Sequence, residues 1–202
     1  MSNKFKPLLL VVSAPSGAGK SSLCKRLMEK FPGMTYSISC TTRAPRGDEQ
    51  NGVHYHFLSE AEFAARIAAG EFLEHALVHG NRYGTLKKTV CDALAQGRDI
   101  IMDIDVQGAQ QIRSACAAMR EDDPIRQSFV DIFITPPSME ELRRRLCGRA
   151  TDSAEVIERR MRNAAEEMQH QPRYQYTVVN DVFEKAAGEL AEIITREHHN
   201  RW

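Results

Sequence analysis

The first residues with recognisable chemistry form a loop of small side chains near the start of the chain. They are Ala14, Pro15, Ser16, Gly17, Ala18, Gly19, Lys20, Ser21 and Ser22. Glycine lets such a loop turn its backbone N–H groups inward, where they bind the oxygens of an anion. Lys20 can reach a β- or γ-phosphate as a point charge, and the Ser21 hydroxyl is a ligand for Mg²⁺. The pattern predicts a site for a nucleoside triphosphate; the alternative is a Gly/Ser turn with an unrelated lysine.

Two acidic residues form the second candidate group. Asp103 and Asp105 end the apolar run DIIMDID that begins at Asp99. In open α/β sheets, ligands lie at the carboxyl ends of the strands. Since Mg²⁺ keeps several waters and takes few protein ligands, Asp103 is the candidate to hold it, through water. The sequence leaves open whether Asp103 or Asp105 dominates at the metal.

The pattern of apolar residues predicts the elements that position these groups. A buried strand over Leu8–Val12 precedes the loop, and a helix begins at Lys20. Further extended segments are expected over 36–39, 53–57, 71–76, 99–105, 128–134 and 174–180, with a turn over 80–85. Further helices are expected over 60–70, 86–97, 106–119, from 138 onward, beyond 153 and over 182–198. Alternating strands and helices indicate an α/β fold with a mostly parallel sheet covered on both faces.

Composition narrows the class of protein. The chain has 202 residues, and its 27 basic residues balance 27 acidic residues, so no overall positive field favours nucleic acid or an anionic membrane as partner. The five cysteines contain no C-x-x-C pair, which is typical of reduced thiols in a cytosolic protein. The apolar run before the loop is too short for a signal peptide, and no run is long enough to span a membrane. We therefore expect a cytoplasmic protein.

Eight short blocks, taken in order, resemble the guanylate kinase family. They are SAPSGAGKSSL (13–23), SCTTRAPRGDE (39–49), HYHF (54–57), FLEHA (72–76), YGT (83–85), DIDVQGAQQI (103–112), PPS (136–138) and VND (179–181). The resemblance covers nearly the whole chain. The phosphate loop alone names only a superfamily, whereas TTRxPR followed by a glutamate and YGT is far more specific.

The resemblance implies a P-loop nucleoside-monophosphate kinase fold with an inserted GMP-binding lobe and a helical lid. The implied core covers about 1–36, 89–137 and 170–202, the lobe about 37–88 and the lid about 138–169. It implies transfer of the γ-phosphoryl group of ATP to GMP, and to dGMP, in purine nucleotide supply and recycling. Mg²⁺ is the implied cofactor, the implied partners are ATP and GMP, and a monomer or a homodimer is expected.

The resemblance also implies roles for individual residues. The ATP site comprises the loop 14–22 and Asn180, near the adenine. The GMP site comprises Ser39, Arg43, Arg46, Tyr55, Glu74, Tyr83, Thr85 and Asp105. The catalytic group comprises Lys20, Arg43, Arg145, Arg149 and Arg160. Guanidinium groups bind the acceptor phosphate in pairs of hydrogen bonds, and the Glu74 carboxylate accepts from the adjacent N1–H and N2–H donors of guanine.

Alternatives remain beside these roles. The arginines could belong to a solvated loop and a salt-bridged helix face, and the two tyrosines could be packing residues. Ala14 stands where the loop pattern has glycine, 114–127 is longer than usual, and Arg82 could alter the guanine pocket or face water. One rival function is a kinase for AMP or a pyrimidine nucleotide. The other is a non-catalytic interaction module, which typically lacks a competent phosphate loop.

Overall fold

A computed structural model describes residues 6–78, 80–148 and 153–201. The strands are β1 (Leu9–Ser13), β2 (Thr35–Tyr36), β3 (Cys40–Thr41), β4 (His56–Phe57), β5 (Phe72–Val78), β6 (Asn81–Leu86), β7 (Ile100–Asp103), β8 (Phe129–Thr135) and β9 (Tyr176–Val179). The α-helices are α1 (Lys20–Lys30), α2 (Glu60–Ala68), α3 (Lys87–Ala95), α4 (Val106–Ala118), α5 (Pro124–Ser128), α6 (Met139–Cys147), α7 (Ala154–Met168) and α8 (Phe183–Asn200). This is the α/β class that the sequence predicts.

The first sheet has the strand order β2-β7-β1-β8-β9, and all its pairs are parallel. Its central strand β1 is buried along its whole length. Because the strands are parallel, their carboxyl ends meet at one edge. Ser13, Asp103 and Asn180 therefore follow or end three strands on the same side of the sheet.

Helices cover both faces of this sheet. On one face, α1 and α8 pack against the alternate side chains Leu8, Leu10 and Val12. On the other face, α3, α4 and α5 pack against Leu9 and Val11. Two apolar layers on opposite faces explain why β1 is a continuous apolar run and does not alternate.

The second sheet is mixed and has the order β4-β3-β6-β5. Strands β5 and β6 are antiparallel, as are β3 and β6, whereas β3 and β4 are parallel. Helix α2 packs on this sheet through Phe63, whose ring stacks on Phe72 at 4.4 Å between centroids. Ser59 and Glu62 form a complete capping box at the start of α2.

Helices α6 and α7 pack on each other through Leu142, Leu146 and Ala164. Arg143 joins the two helices by a paired contact with Glu158, at 2.5 and 3.1 Å. The Ser138 hydroxyl caps α6 by accepting from the Glu141 amide, 3.1 Å away.

Three local predictions are wrong. The segment 80–85, expected as a turn, is mostly strand β6. Gly84 lies inside that strand. A Cβ at this position would be 2.9 Å from Phe72 Cδ1 and 3.0 Å from the Glu74 carbonyl oxygen, so glycine is needed here for the close approach of the two strands. The predicted strands 53–57 and 36–39 shrink to His56–Phe57 and Thr35–Tyr36, and the additional helix α5 follows the loop at 121–123.

Within the described residues, no helix has the length and apolar character needed to cross a membrane.

Candidate active site

The phosphate loop joins the buried strand β1 to helix α1 and is held from two sides. Gly17 and Gly19 have φ of +95° and +91°, values that favour glycine. Behind the loop, the buried Asn180 amide donates to the Ala18 carbonyl at 2.7 Å. A Cβ on Gly19 would lie 2.4 Å from the Asn180 nitrogen, and one on Gly17 would lie 2.9 Å from Leu146 of α6. The loop is therefore packed closely on both sides.

Ala14 does not disturb the loop. Its methyl group is buried among the apolar side chains between the first sheet and α1. The turn is closed by the Ala18 amide, which donates to the Pro15 carbonyl at 3.0 Å. Replacement of glycine by alanine at this position therefore adds a contact with the core and leaves the turn intact.

Lys20, Ser21 and Asp103 form one polar cluster at the carboxyl edge of the sheet. The Lys20 ammonium lies 2.5 Å from Asp103 Oδ1 and donates to the Ile104 carbonyl at 2.9 Å. The Ser21 hydroxyl donates to Asp103 Oδ2 at 3.0 Å. Asp105 has a different environment, because its carboxylate caps α4 by accepting from the Gly108 amide at 2.8 Å. Of the two acids, Asp103 is the one that contacts the phosphate-loop residues.

A cavity of about 210 Å³ lies beside this cluster, between the two sheets. It is lined by Tyr36, Ser37, Ser39, His54, Tyr55, Glu74, Ala76, Val78, Tyr83, Asp103, Ile104 and Asp105. Five of the residues predicted for the acceptor, namely Ser39, Tyr55, Glu74, Tyr83 and Asp105, are therefore brought together at one surface. Thr85 is buried next to Glu74, with which it is paired in the β5–β6 register.

Glu74 is the buried acid of this cavity, with only 5% of its surface exposed. Burial raises the pKa of Glu74 to about 7, and the nearby negative charge of Asp105 adds to the rise. The Thr85 hydroxyl and amide oppose it in part.

The predicted phosphate-binding arginines, Arg43 and Arg46, lie in the loop after β3. Arg43 is buried, and its guanidinium donates to Glu49 Oε1 at 2.9 Å and to the Ala44 carbonyl at 2.8 Å. It also lies over the Tyr55 ring, 5.3 Å from the centroid. Glu49 accepts from the Arg46 amide at 2.8 Å as well, and the Arg43 guanidinium holds the pKa of Glu49 below its usual range. The Arg46 side chain is exposed.

Comparison with known proteins gives the family. The guanylate kinase family model matches residues 6–197. The chain is 49% identical to a guanylate kinase of Dechloromonas aromatica, over 92% of this chain and 87% of the relative. It is 48% identical to one of Methylobacillus flagellatus, over 98% of this chain and 93% of the relative. This chain belongs to the guanylate kinase family.

A solved structure agrees with the fold expected of a guanylate kinase. The crystal structure of guanylate kinase from Anaplasma phagocytophilum superposes with a TM-score of 0.73 at 34% identity. The match covers 96% of this chain and 89% of the other. The P-loop nucleoside-monophosphate kinase fold predicted from the sequence is thereby confirmed.

The arginines predicted for the lid are only partly described. Arg145 of α6 donates to Glu141 at 2.8 Å and reaches the Asp181 carbonyl at 3.5 Å, beside the loop that follows β9. Arg144 also pairs with Glu141, and the two guanidinium groups lower the pKa of Glu141 to about 2. Arg160 lies on α7. Arg149 falls outside the described residues.

Arg82 does not line the cavity. Its side chain is part exposed and pairs with Glu60 in the first turn of α2, with Nε and Oε2 3.1 Å apart. Its backbone joins β6 to the start of the loop that holds Arg43 and Arg46, because the Arg82 amide donates to the Thr42 hydroxyl at 3.0 Å and the Arg82 carbonyl accepts from the Thr42 amide at 3.1 Å. Of the two possibilities left open by the sequence, the surface position is correct.

Several residues near the site have no predicted role, among them Tyr36, Ser37 and Glu167. Tyr36 and Ser37 line the cavity, and the buried Ser37 hydroxyl has no hydrogen-bond partner among the described residues. Glu167, at the end of α7, lies near the Ser16 backbone of the phosphate loop, and burial raises the pKa of its carboxyl group. Glu167 lies far along the chain from any motif, so no local pattern could have found it.

Proposed function

We propose that the protein transfers the γ-phosphoryl group of ATP to GMP, giving ADP and GDP, and that it also accepts dGMP. The observation that carries this proposal is the position of Glu74. It is a buried carboxyl group facing a cavity that adjoins Lys20 and the phosphate loop through Asp103. Membership of the guanylate kinase family supports the same reaction.

The acceptor in this reaction needs no general base. A phosphomonoester with a second pKa of about 6 is mostly dianionic at pH 7, so its oxygen is already a nucleophile. The task of the protein is to bring two polyanions together and to stabilise the charge on the phosphoryl group in transfer. Cationic side chains suit that task, and the proposed site supplies Lys20, Arg43, Arg46, Arg145, Arg149 and Arg160.

Guanine selectivity follows from the chemistry of Glu74. Guanine offers N1–H and N2–H side by side, and an ionised carboxylate accepts both. Adenine has a hydrogen-bond acceptor at N1, and its lone pair would repel the carboxylate oxygen. Because the pKa of Glu74 is about 7 in the free protein, the two guanine donors favour the charged form and draw the group toward ionisation.

The donor side requires Lys20 to exchange partners. In the free protein its ammonium contacts Asp103, so a triphosphate would compete with that carboxylate for the lysine. Ser21 and Asp103 are adjacent oxygen ligands and would hold Mg²⁺, Asp103 through water, with phosphate oxygens and further waters completing the coordination. The metal would neutralise charge on the phosphates when bound.

The parts of the chain have separate proposed roles. We propose that 37–88 acts as the GMP-binding lobe and 138–169 as a lid on a core of 1–36, 89–137 and 170–202. Closure of both would exclude water, so that the phosphoryl group reaches GMP and not water. The net charge of zero favours small-molecule substrates over nucleic acid or a membrane surface. All five cysteines are free thiols, which supports a reducing compartment such as the cytoplasm.

The first experiment measures ADP release from Mg·ATP with GMP, dGMP, AMP, CMP and UMP offered separately. We expect turnover with GMP and dGMP alone. Release with AMP or a pyrimidine nucleotide would mean that the acceptor pocket selects another base. No release with any acceptor, together with tight GMP binding, would favour the interaction module.

Glu74→Gln tests the residue that carries the proposal. The glutamine amide keeps the size of the side chain, but only its oxygen can accept a hydrogen bond. Its NH₂ group would face the second guanine donor without forming a hydrogen bond. We expect kcat/KM for GMP to fall about 10³-fold or more, with ATP binding unchanged. Glu71→Gln is the matched control, because Glu71 is exposed, three residues earlier, and paired with Arg66. Unchanged GMP turnover in Glu74→Gln would remove the base-reading role.

A further inference from the structure

Strand β5, which carries Glu74, is the edge strand of the second sheet, and a side chain from helix α4 forms hydrogen bonds with its outer edge. On its outer side, the amide of Gln111 in α4 accepts from the His75 N–H at 3.1 Å and donates to the His75 carbonyl at 2.7 Å. These two hydrogen bonds take the place of a neighbouring strand. Gln111 therefore fixes the backbone of the residue next to Glu74.

Gly108, about one helical turn earlier in α4, lies directly against the Glu74 carboxyl group. A Cβ on Gly108 would be 2.8 Å from Glu74 Oε2 and 3.3 Å from Glu74 Cδ. Glycine within a helix costs up to about 1 kcal/mol relative to alanine. The helix therefore gives up stability at the place where a methyl group would displace the carboxylate.

Helix α4 is a firm support because it is packed into the first sheet. Ala109, Ile112 and Cys116 are buried in the apolar cluster on that face. Leu73, which precedes Glu74 in the chain, is buried in the same cluster. Glu74 thus lies between Leu73, which is buried in this cluster, and His75, which is hydrogen-bonded to α4. Both neighbours are therefore held by the core, although β5 belongs to the second sheet.

We propose that Gly108 and Gln111 are positioning residues for Glu74, and through it determine the preference for guanine. The hydrogen bonds of Gln111 fix the position of β5 relative to α4. The absence of a side chain at Gly108 lets the Glu74 carboxylate pack directly against the helix. Both oxygens then face the cavity in a fixed orientation, as a pair of adjacent donors requires. This inference rests on the proposed acceptor, GMP.

The test compares Gln111→Ala and Gly108→Ala with wild type in the full chain. Gln111 is exposed, so its truncation leaves no cavity in the core. For both variants we expect KM for GMP to rise about tenfold, equivalent to about 1.4 kcal/mol, with KM for ATP unchanged. IMP lacks the N2 amino group, so the preference for GMP over IMP should fall as the carboxylate loses its alignment with the second donor.

Each variant has a matched control. Gln107 lies four residues before Gln111 in the same helix, is exposed, and does not line the cavity, so Gln107→Ala should retain the wild-type KM. Gly188 is in α8, and no atom lies within 4 Å of the position that a Cβ would take there. Gly188→Ala therefore gains the same helix propensity without touching the site. Melting temperature, measured for all four variants, separates alignment from loss of stability.

The outcomes are distinct. A raised KM for GMP and a reduced GMP-over-IMP preference, without a matching change in the control, support the positioning role. Wild-type values of both quantities in Gln111→Ala and Gly108→Ala would overturn it. A wild-type protein that releases no ADP with GMP would instead overturn the proposed function, and the inference with it.

Discussion

The proposed donor site and the proposed acceptor site of this protein are built in opposite ways. The donor site is nearly continuous in sequence, since Ala14 to Gly19 form the loop between β1 and α1, and Lys20 to Ser22 are the first residues of α1. The proposed acceptor site is assembled from separated segments, including Arg43 in the loop after β3, Glu74 in β5 and Asp105 after β7. A site on one loop is set by local backbone geometry, whereas an assembled site depends on how two sheets are held together.

This contrast leads to different expectations for substitutions. Damage to the donor site should reduce phosphoryl transfer to every acceptor equally. Damage to the acceptor site should raise KM for GMP and leave the ATP site unaltered.

Lys20→Ala should have the largest effect. It removes the cation proposed to reach the transferred phosphoryl group, and we expect kcat to fall by about 10³-fold or more, for GMP and dGMP alike. Rapid-quench or steady-state ADP release measures kcat, and equilibrium binding measures the affinity for GMP, which should remain. Lys25→Ala on the exposed side of α1 is the control. A Lys20→Ala protein with normal turnover would contradict the phosphate-loop assignment.

Arg43→Lys tests the acceptor side with the charge retained. The lysine cannot form the two directed hydrogen bonds of the guanidinium group, nor its stacking on Tyr55. Loss of charge-assisted hydrogen bonds of about 1.5–3 kcal/mol should raise KM for GMP by about 10- to 100-fold. KM for ATP should stay within experimental error.

The same substitution at Arg66 provides the control for Arg43→Lys. Arg66 is a part-exposed arginine of α2 that also pairs with an acid, Glu71, at 2.8 Å. Arg66→Lys should leave both KM values unchanged, because ion pairs at the surface contribute little. Equal effects at Arg43 and Arg66 would mean that the whole lobe, not a phosphate contact, responds to the change.

The two sites also differ in how far the sequence predicts them. The spacing around Lys20 is sufficient to predict the donor loop, because strand, loop and helix follow one another in the chain, although Asp103 and Asn180, which contact this loop, come from distant segments. The acceptor residues come only from resemblance to a family, because no spacing rule links Glu74 to Arg43. The wrong prediction of a turn at Gly84 has a related cause: the role of this glycine depends on Phe72 across the sheet, and such a close approach is not visible in the local sequence.

Burial of Glu74 gives a prediction for stability against pH. Its pKa is about 7 in the folded protein and about 4.5 when exposed, so the folded state binds the extra proton between these values. The contribution to stability is therefore full below pH 4.5 and is lost as the pH rises through 7. Between pH 6 and pH 8 the free energy of unfolding should fall by about 1.4 kcal/mol from this group alone.

Urea denaturation of wild type and Glu74→Gln, each at pH 6 and pH 8, isolates that contribution. The glutamine does not titrate, whereas all other titratable groups are common to the two proteins. The difference between their free energies of unfolding should therefore change by about 1.4 kcal/mol between pH 6 and pH 8. Saturating GMP should reverse the trend, because guanine favours the ionised carboxylate. A difference that does not vary with pH would show that Glu74 titrates at its ordinary pKa.

Ser59→Ala should have the smallest effect, and it tests whether the second sheet is stabilised separately from the first. Ser59 accepts from the Glu62 amide at 3.2 Å and closes the capping box of α2, the helix that covers the second sheet. Loss of such a cap costs about 1 kcal/mol. Hydrogen exchange should accelerate in α2, β5 and β6 and remain at the wild-type rate in β1 and β8, since local opening is confined to the weakened unit. Faster exchange in both sheets would mean that the two unfold together, and that the contacts of α4 with β5 couple the acceptor site to the core more strongly than its separated segments suggest.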